Sequence, residues 1–146
     1  MSLQRSPLAA GVVFLTMSVA ACSGSSPTAP ATPTPTRTVV NSGTIFLLAP
    51  DLGIVDITLG TAGTLDAVVD WRSSTDDLDI ALVRGQCTAA AALSGACVAN
   101  TLAQAAGFSK PERVSVPNLP AGTYTLLIVN NGPSSESASW EIGVTR

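Results

Sequence analysis

Apolar and polar residues alternate along most of the chain after residue 43, with the period of two that is typical of β-strands. Leu65, Ala67 and Val69 fall on one face of such a segment, whereas Asp66 and Asp70 fall on the other. The alternation predicts about seven strands, over residues 44–49, 54–59, 64–71, 78–83, 113–116, 124–128 and 140–144. Short strands with one apolar and one polar face predict an all-β fold, a single antiparallel β-sandwich with polar outer faces.

Turn residues separate the predicted strands. Leu119-Pro120-Ala121-Gly122 has proline second and glycine fourth, which is the pattern of a type I turn. The exception to the β pattern is Thr88–Gln104, which is rich in alanine. We predict a loop there, held by a disulfide and containing about one helical turn; its composition also permits a longer helix.

The first 21 residues have the pattern of a targeting segment. Arg5 gives a short positive start, and residues 8–21 are mostly apolar or small. A membrane-spanning helix needs about 20 apolar residues, so this stretch is too short to span a bilayer. Its length is that of a signal-peptide apolar region, which predicts export from the cytoplasm.

The end of this segment, Val19-Ala20-Ala21-Cys22, resembles the lipobox of bacterial lipoproteins. The resemblance implies that the Cys22 thiol receives diacylglycerol, that the chain is cut before it, and that the new amino terminus is acylated. Ser23 follows, which resembles the pattern exported to the outer membrane in Gram-negative cells. The alternative is an ordinary signal peptide with an unmodified Cys22. We expect a protein anchored at the cell envelope through its lipid.

The chain has three cysteines. Because Cys22 is assigned to the lipid, Cys87 and Cys97 remain as a pair, in a compartment where disulfides persist. Two cysteines without any histidine do not complete a zinc site, and their spacing is not Cys-x-x-Cys. We therefore predict a structural disulfide between Cys87 and Cys97.

Residues 22–42 have the composition of a linker, and residues 43–146 that of the folded domain. The linker contains closely spaced prolines among threonine, serine and alanine, a composition that favours an extended polyproline II stalk. The three predicted regions are therefore a signal peptide over 1–21, a lipidated cysteine with its linker over 22–42, and a β-sandwich over 43–146.

Histidine is absent and the net charge is −3. Without histidine the chain has no Ser-His-Asp or Cys-His nucleophile. No cluster of lysine and arginine occurs, so we expect no nucleic-acid partner. These features argue against a hydrolase of the common types, and we expect no enzyme activity.

Several short motifs of the domain resemble one known family. They are Ala62-Gly63-Thr64-Leu65, Asp77-Leu78-Asp79-Ile80, Glu112-Arg113-Val114-Ser115-Val116 and Ala121-Gly122-Thr123-Tyr124. They are similar to motifs of the bacterial pre-peptidase C-terminal domain and its jelly-roll relatives. The resemblance implies a jelly-roll-like sandwich and an accessory role, and some relatives bind collagen, polysaccharide or calcium. No catalytic domain precedes the module in this chain, so only fold and accessory character carry over.

Asp76, Asp77 and Asp79 form the densest acidic cluster and are the candidates for a calcium site, because calcium takes carboxylate and carbonyl oxygens. The favoured interpretation is that Asp79 lies on a solvated strand face while Asp76 and Asp77 cap a turn. We therefore expect no cofactor.

Three aromatic residues, Trp71, Tyr124 and Trp140, lie on the apolar faces of their predicted strands. A platform that stacks on sugar rings is one use of such residues. Packing in the core is the favoured interpretation, because each residue follows the apolar alternation of its strand.

The sequence favours a membrane-anchored, non-catalytic accessory or binding module at the bacterial envelope. The sequence does not identify the ligand; an extracellular polysaccharide and a protein are the candidates. The alternative is a structural lipoprotein that holds a partner protein in place. A small glycan-active enzyme that uses two carboxylates is the remote alternative.

Overall fold

Eight β-strands account for most of residues 33–146, the part of the chain that a computed structural model describes. The predicted signal peptide, Cys22 and most of the predicted linker lie outside the described residues. A short helix, α1 (Ala89–Leu93), and a 3₁₀ turn (Val98–Asn100) lie between the fourth and fifth strands. The strands are β1 Arg37–Leu47, β2 Asp51–Leu59, β3 Gly63–Trp71, β4 Leu78–Arg84, β5 Thr101–Ala105, β6 Glu112–Leu119, β7 Gly122–Asn130 and β8 Glu136–Thr145.

The strands form two antiparallel four-stranded sheets. The first sheet has the order β1-β8-β3-β6, and the second has the order β2-β7-β4-β5. Consecutive strands lie in different sheets except for β4 and β5, which is the strand order of a jelly roll. The prediction of an all-β, jelly-roll-like sandwich is confirmed.

The main core lies between the two sheets. Leu65 and Val69 of β3 are fully buried, as are Leu126 and Ile128 of β7 on the facing sheet. Burial of each such side chain contributes about 1.5–3 kcal/mol relative to its exposure. Residues 33–146 thus carry a complete core of their own within one compact unit, which is the property of a domain that folds independently.

Strand β1 begins at Arg37, so the domain starts earlier than the predicted residue 43. Its first half pairs with the end of β8, where Arg37 lies opposite Thr145, and a bulge follows between Val39 and Asn41. Val39 is 46% exposed. Because backbone hydrogen bonds to β8 hold this half of the strand, it needs no apolar face towards the core, and its sequence resembles a linker.

The alanine-rich segment contains a strand that the sequence did not predict, β5. The predicted helical turn is present as α1, whose first turn is capped by Thr88 Oγ1 accepting from Ala91 N at 3.3 Å. Ala103 and Ala105 of β5 pack against the core. The strand is hidden in the sequence because alanine favours helices, and only its pairing with β4 overrides that preference.

The central part of the outer face of the second sheet is apolar, contrary to the prediction of polar outer faces. Val83 and Leu127 lie on this face and are buried in a small second core with Cys87 and Cys97. The segment closed by the disulfide folds over the sheet, and Cys87 N donates to Thr125 Oγ1 at 3.0 Å. The continuous apolar run of β7 over residues 126–129 is the signal of a strand covered on both faces.

Candidate functional site

Four loops converge at one end of the sandwich, which we call the loop end. The register places the end of β1 beside the start of β8, and the end of β3 beside the starts of β6 and β8. In the second sheet, Asn130 lies opposite both Asp51 and Leu78. The loops are residues 48–50, 72–77, 106–111 and 131–135. Loops gathered on a rigid scaffold are where sandwich domains commonly carry function.

Asn130 ties two of these loops together. Its side chain is fully buried, and its Nδ2 donates to the carbonyl oxygens of Leu48 at 3.2 Å and Ser134 at 2.8 Å. Its Oδ1 accepts from Gly132 N at 3.0 Å. A buried amide is stable only when its donors and acceptors are paired, and this one uses all of its polar atoms to fix loop positions.

Asp76 joins the 72–77 loop to the 131–135 loop. Its Oδ1 accepts from Ser134 N at 3.0 Å, and its carbonyl oxygen accepts from Trp71 Nε1 at 3.1 Å. Gly132 packs directly on Asp76, because a Cβ at position 132 would lie 2.8 Å from the Asp76 Cα. A glycine is required here for the two loops to approach each other.

Asp77, Asp79 and Glu112 bring three acidic side chains near one another. Asp79 Oδ1 accepts from Gly107 N at 3.1 Å, and its Oδ2 accepts from Asn131 Nδ2 at 2.7 Å. Asp77 Oδ1 is buried and has no hydrogen-bond partner among the described residues. Burial, and then the charge of Asp79, raise the pKa of Asp77.

Glu112, the first residue of β6, is buried with 4% of its surface exposed. Burial raises its pKa above the ordinary value, and the charges of Asp79 and Asp77 raise it further, against a smaller lowering by the Arg113 backbone N–H. Folding therefore disfavours the charged form of Glu112 relative to a glutamate in water.

Glu136, the first residue of β8, is also buried, but its surroundings lower its pKa, whereas those of Glu112 raise it. Its Oε2 accepts from Ser73 N at 2.7 Å and its Oε1 accepts from Ser137 N at 2.9 Å. Burial alone raises the pKa of Glu136, but the backbone N–H groups of Ser73, Ser137 and Arg72, with the charge of Lys110, outweigh burial and lower it. The folded protein therefore favours its carboxylate.

Neighbouring loops hold two members of the predicted acidic cluster. Asp76 is buried in its loop and accepts from Ser134 N, whereas Asp79 lies on the outer face of β4, partly buried, and accepts from Gly107 N. Within residues 33–146, no group of three or more acidic, cysteine or histidine side chains has the arrangement of a metal site. Glu112 and Glu136 were not singled out as site residues from the sequence. Each is the first residue of its strand, where the alternation does not show that a charged side chain is buried.

The predicted aromatic positions are mostly confirmed. Trp71 and Tyr124 are buried in the core. Tyr124 Oη donates to the carbonyl oxygen of Pro120 at 2.7 Å. Trp140 is partly buried and packs on the core, with its indole over Gly43. All three therefore act in packing.

The predicted disulfide is confirmed. Cys87 and Cys97 are bonded, with their Cα atoms 6.1 Å apart. Cys22, the predicted lipidation site, lies outside the described residues. Among residues 33–146, the helical segments include none with the length and hydrophobicity of a membrane-spanning helix.

Comparison with known proteins gives a structural neighbour and no family. No family model matches the chain, and no curated protein matches it. The chain is similar in structure to the Yersinia pseudotuberculosis-derived mitogen (YPM), with a TM-score of 0.52 over 76% of this chain and 87% of that one. Sequence identity is 14%. The likeness shows a shared fold alone.

Proposed function

We propose that this chain is a lipid-anchored, non-catalytic accessory or binding module displayed at the bacterial envelope. In this proposal the loop end faces away from the membrane. The observation that carries the proposal is the position of the loop end, which lies opposite the point where the chain enters the domain. The predicted anchor at Cys22 precedes that point of entry.

Strand β1 sets this geometry. Arg37 at its start pairs with Thr145, and Leu47 at its end pairs with Glu136 beside the loops. A strand of 11 residues spans roughly 33 Å at about 3.3 Å per residue. A tether attached ahead of Arg37 therefore holds one end of the sandwich towards the membrane and presents the other end to the surroundings.

The loop end has the exposed apolar side chains that recognition surfaces use. Phe108 is 91% exposed, Phe46 is 64% exposed and Leu48 is 58% exposed. Phe46 lies near the end of β1. Leu48 stands on a loop whose carbonyl oxygen accepts from Asn130, and Phe108 stands on a loop whose Gly107 N donates to Asp79. Rigid loops lose little conformational entropy when a partner binds, which favours affinity.

Three acidic residues of this end have hydrogen bonds that hold the loops. A general acid or base needs a carboxyl group within reach of a substrate proton. The carboxylates of Asp76, Asp79 and Glu136 instead accept hydrogen bonds from backbone N–H groups of Ser134, Gly107 and Ser73. These bonds favour a binding module over a small glycan-active enzyme.

An extracellular polysaccharide is the ligand class that best suits display away from the membrane. The alternative is a structural lipoprotein that holds an envelope protein, which the exposed Phe108 also suits. The two functions differ in the ligand that the loop end binds, a polysaccharide or an envelope protein. One binding experiment therefore distinguishes them.

The test uses tagged protein from residue 23 onward, applied to a glycan panel and to an extract of envelope proteins. We expect capture of a glycan, and at least a fivefold loss of capture in Phe108→Ser. The matched control is Val98→Ser, because Val98 is 70% exposed but lies on the 3₁₀ turn that follows Cys97, away from the loops. Equal capture by Phe108→Ser and the wild type, or capture of neither ligand class, contradicts the proposal; capture of a single envelope protein favours the alternative.

A further inference from the structure

The second core leaves part of the apolar outer face of the second sheet uncovered. A groove of about 370 Å³ runs between α1 and the sheet. Its apolar walls come from β2, β7 and the helix, namely Leu52, Leu127, Val129, Ala92 and Leu93.

A second hollow of about 140 Å³ lies on the same face, over β4 and β5, and includes Ala81 and Ala106. Leu127 and Val129 line both hollows. The two therefore form one continuous apolar surface, which we call the trough, across all four strands of the sheet.

The disulfide segment covers this face only in part. Helix α1 contains no buried residue, and Leu93 at its end is 79% exposed. Leu52 and Val129 are only partly buried. Apolar surface that a domain leaves open in a concave shape is typical of a binding site for a partner.

Charge at the trough is acidic. Asp51 lines the groove and Asp79 lines the second hollow, and no lysine or arginine lines either hollow within the described chain. A fatty acid would place its carboxylate near these aspartates, which is unfavourable. A second copy bound through the same trough would bring the aspartates of both copies together, which is also unfavourable.

We propose that the trough binds an apolar peptide segment of a partner protein, with a basic residue beside its apolar side chains. The apolar side chains fill the space between Leu52, Val129 and Leu93, and the basic residue pairs with Asp51 or Asp79. The trough adjoins the loop end at Pro50 and Ala106 but lies on the outer face of the second sheet, and neither Leu48 nor Phe108 lines it. Because it needs no lipid anchor and binds a different ligand, it goes beyond the proposed function.

The test is titration of isotope-labelled protein, from residue 23 onward, with a capped peptide of the sequence lysine–leucine–valine–leucine–lysine, followed by amide NMR spectra. A second peptide has glutamate in place of both lysines. We expect amide shifts confined to the trough, and binding of the lysine peptide at least tenfold tighter than of the glutamate peptide.

Leu93→Lys is expected to weaken binding of the lysine peptide at least tenfold. Val98→Lys is the control for exposure and added charge, and Phe108→Ser is the control for the loop end; both should bind as the wild type does. Because Leu93 is exposed, its replacement leaves the fold intact, which the spectra also verify. No shifts at millimolar peptide, equal binding of the two peptides, or unchanged binding by Leu93→Lys overturns the proposal. Loss of binding in Phe108→Ser would instead assign the peptide to the loop end.

Discussion

The side-chain amide of Asn130 donates a hydrogen bond of 2.8 Å to the carbonyl oxygen of Ser134. The same Nδ2 reaches the carbonyl oxygen of Leu48 at 3.2 Å, so one buried side chain fixes two loops at the end of the sandwich. The arrangement of the loop end therefore depends on a residue inside the domain.

Asn130→Ala is expected to destabilise the domain by about 2–3 kcal/mol, because it leaves buried carbonyl groups without donors. In a domain of this size the loss lowers the melting temperature by roughly 10 °C or more. Asn100→Ala is the matched control, since Asn100 is exposed. Thermal and urea unfolding measure both. A change below about 0.5 kcal/mol, within the range of ordinary surface substitutions, would show that Asn130 does not hold the loops.

The two buried glutamates at the loop end should give stability effects with opposite dependence on pH. The pKa of Glu112 is raised in the folded protein, so its contribution to stability falls as pH rises from the ordinary value of 4.5 through the raised value. Glu112→Gln removes this ionisation. We expect the variant to gain stability relative to the wild type as pH rises from about 4 to about 7.

The pKa of Glu136 is lowered, so its contribution is present above the ordinary value of 4.5 and is lost as pH falls through the lowered value. Glu136→Gln should therefore destabilise the domain more at pH 7 than at about pH 3. Urea unfolding across this range measures both variants, with Asp66→Asn on the outer face of β3 as the control. The same sign of pH dependence in both glutamine variants contradicts the electrostatic assignment.

Alternation of apolar and polar residues was enough to predict most strands and the sandwich, because burial between two sheets imposes that pattern. It failed where other forces form a strand. The first half of β1 is held by its backbone pairing with β8, and β5 is a short alanine-rich strand at a sheet edge. Neither needs a strong apolar alternation.

The loop end was predictable only in part. The acidic run at Asp76 and Asp77 is visible in the sequence, but the contact of Glu136 with Ser73 joins residues that lie 63 positions apart. No local pattern reports such a contact. The apolar trough had a signal in the run over residues 126–129 of β7, which is apolar on both faces of its strand.

Removal of the disulfide should lower stability without removing the fold. By closing a loop of this length, the bond lowers the conformational entropy of the unfolded chain, which stabilises the folded domain by roughly 2–3 kcal/mol. The bond also holds the second core over Val83 and Leu127. Replacing both cysteines, Cys87→Ala with Cys97→Ala, is expected to lower the melting temperature by roughly 5–15 °C. Differential scanning calorimetry without reductant makes the comparison, and an unchanged transition contradicts it.

Chelation of metals should leave the domain folded and its melting temperature unchanged. The oxygens of Asp76 and Asp79 already accept hydrogen bonds from Ser134, Gly107 and Asn131. A calcium site with a Kd of about 10⁻⁴ M, at ten times that concentration, would add about 1.4 kcal/mol. We expect millimolar Ca²⁺ to shift the transition by less. A rise of several degrees that Asp77→Asn with Asp79→Asn abolishes would assign the cluster as a metal site.

Detergent partition of the full chain and of Cys22→Ser tests whether a lipid on Cys22 anchors this domain at the envelope. Two or more acyl chains on one residue give a stable anchor, so we predict that the mature wild-type protein enters the detergent phase. The Cys22→Ser protein should enter the aqueous phase or remain unprocessed. A Cys22→Ser protein of mature size that still enters the detergent phase would contradict the claim.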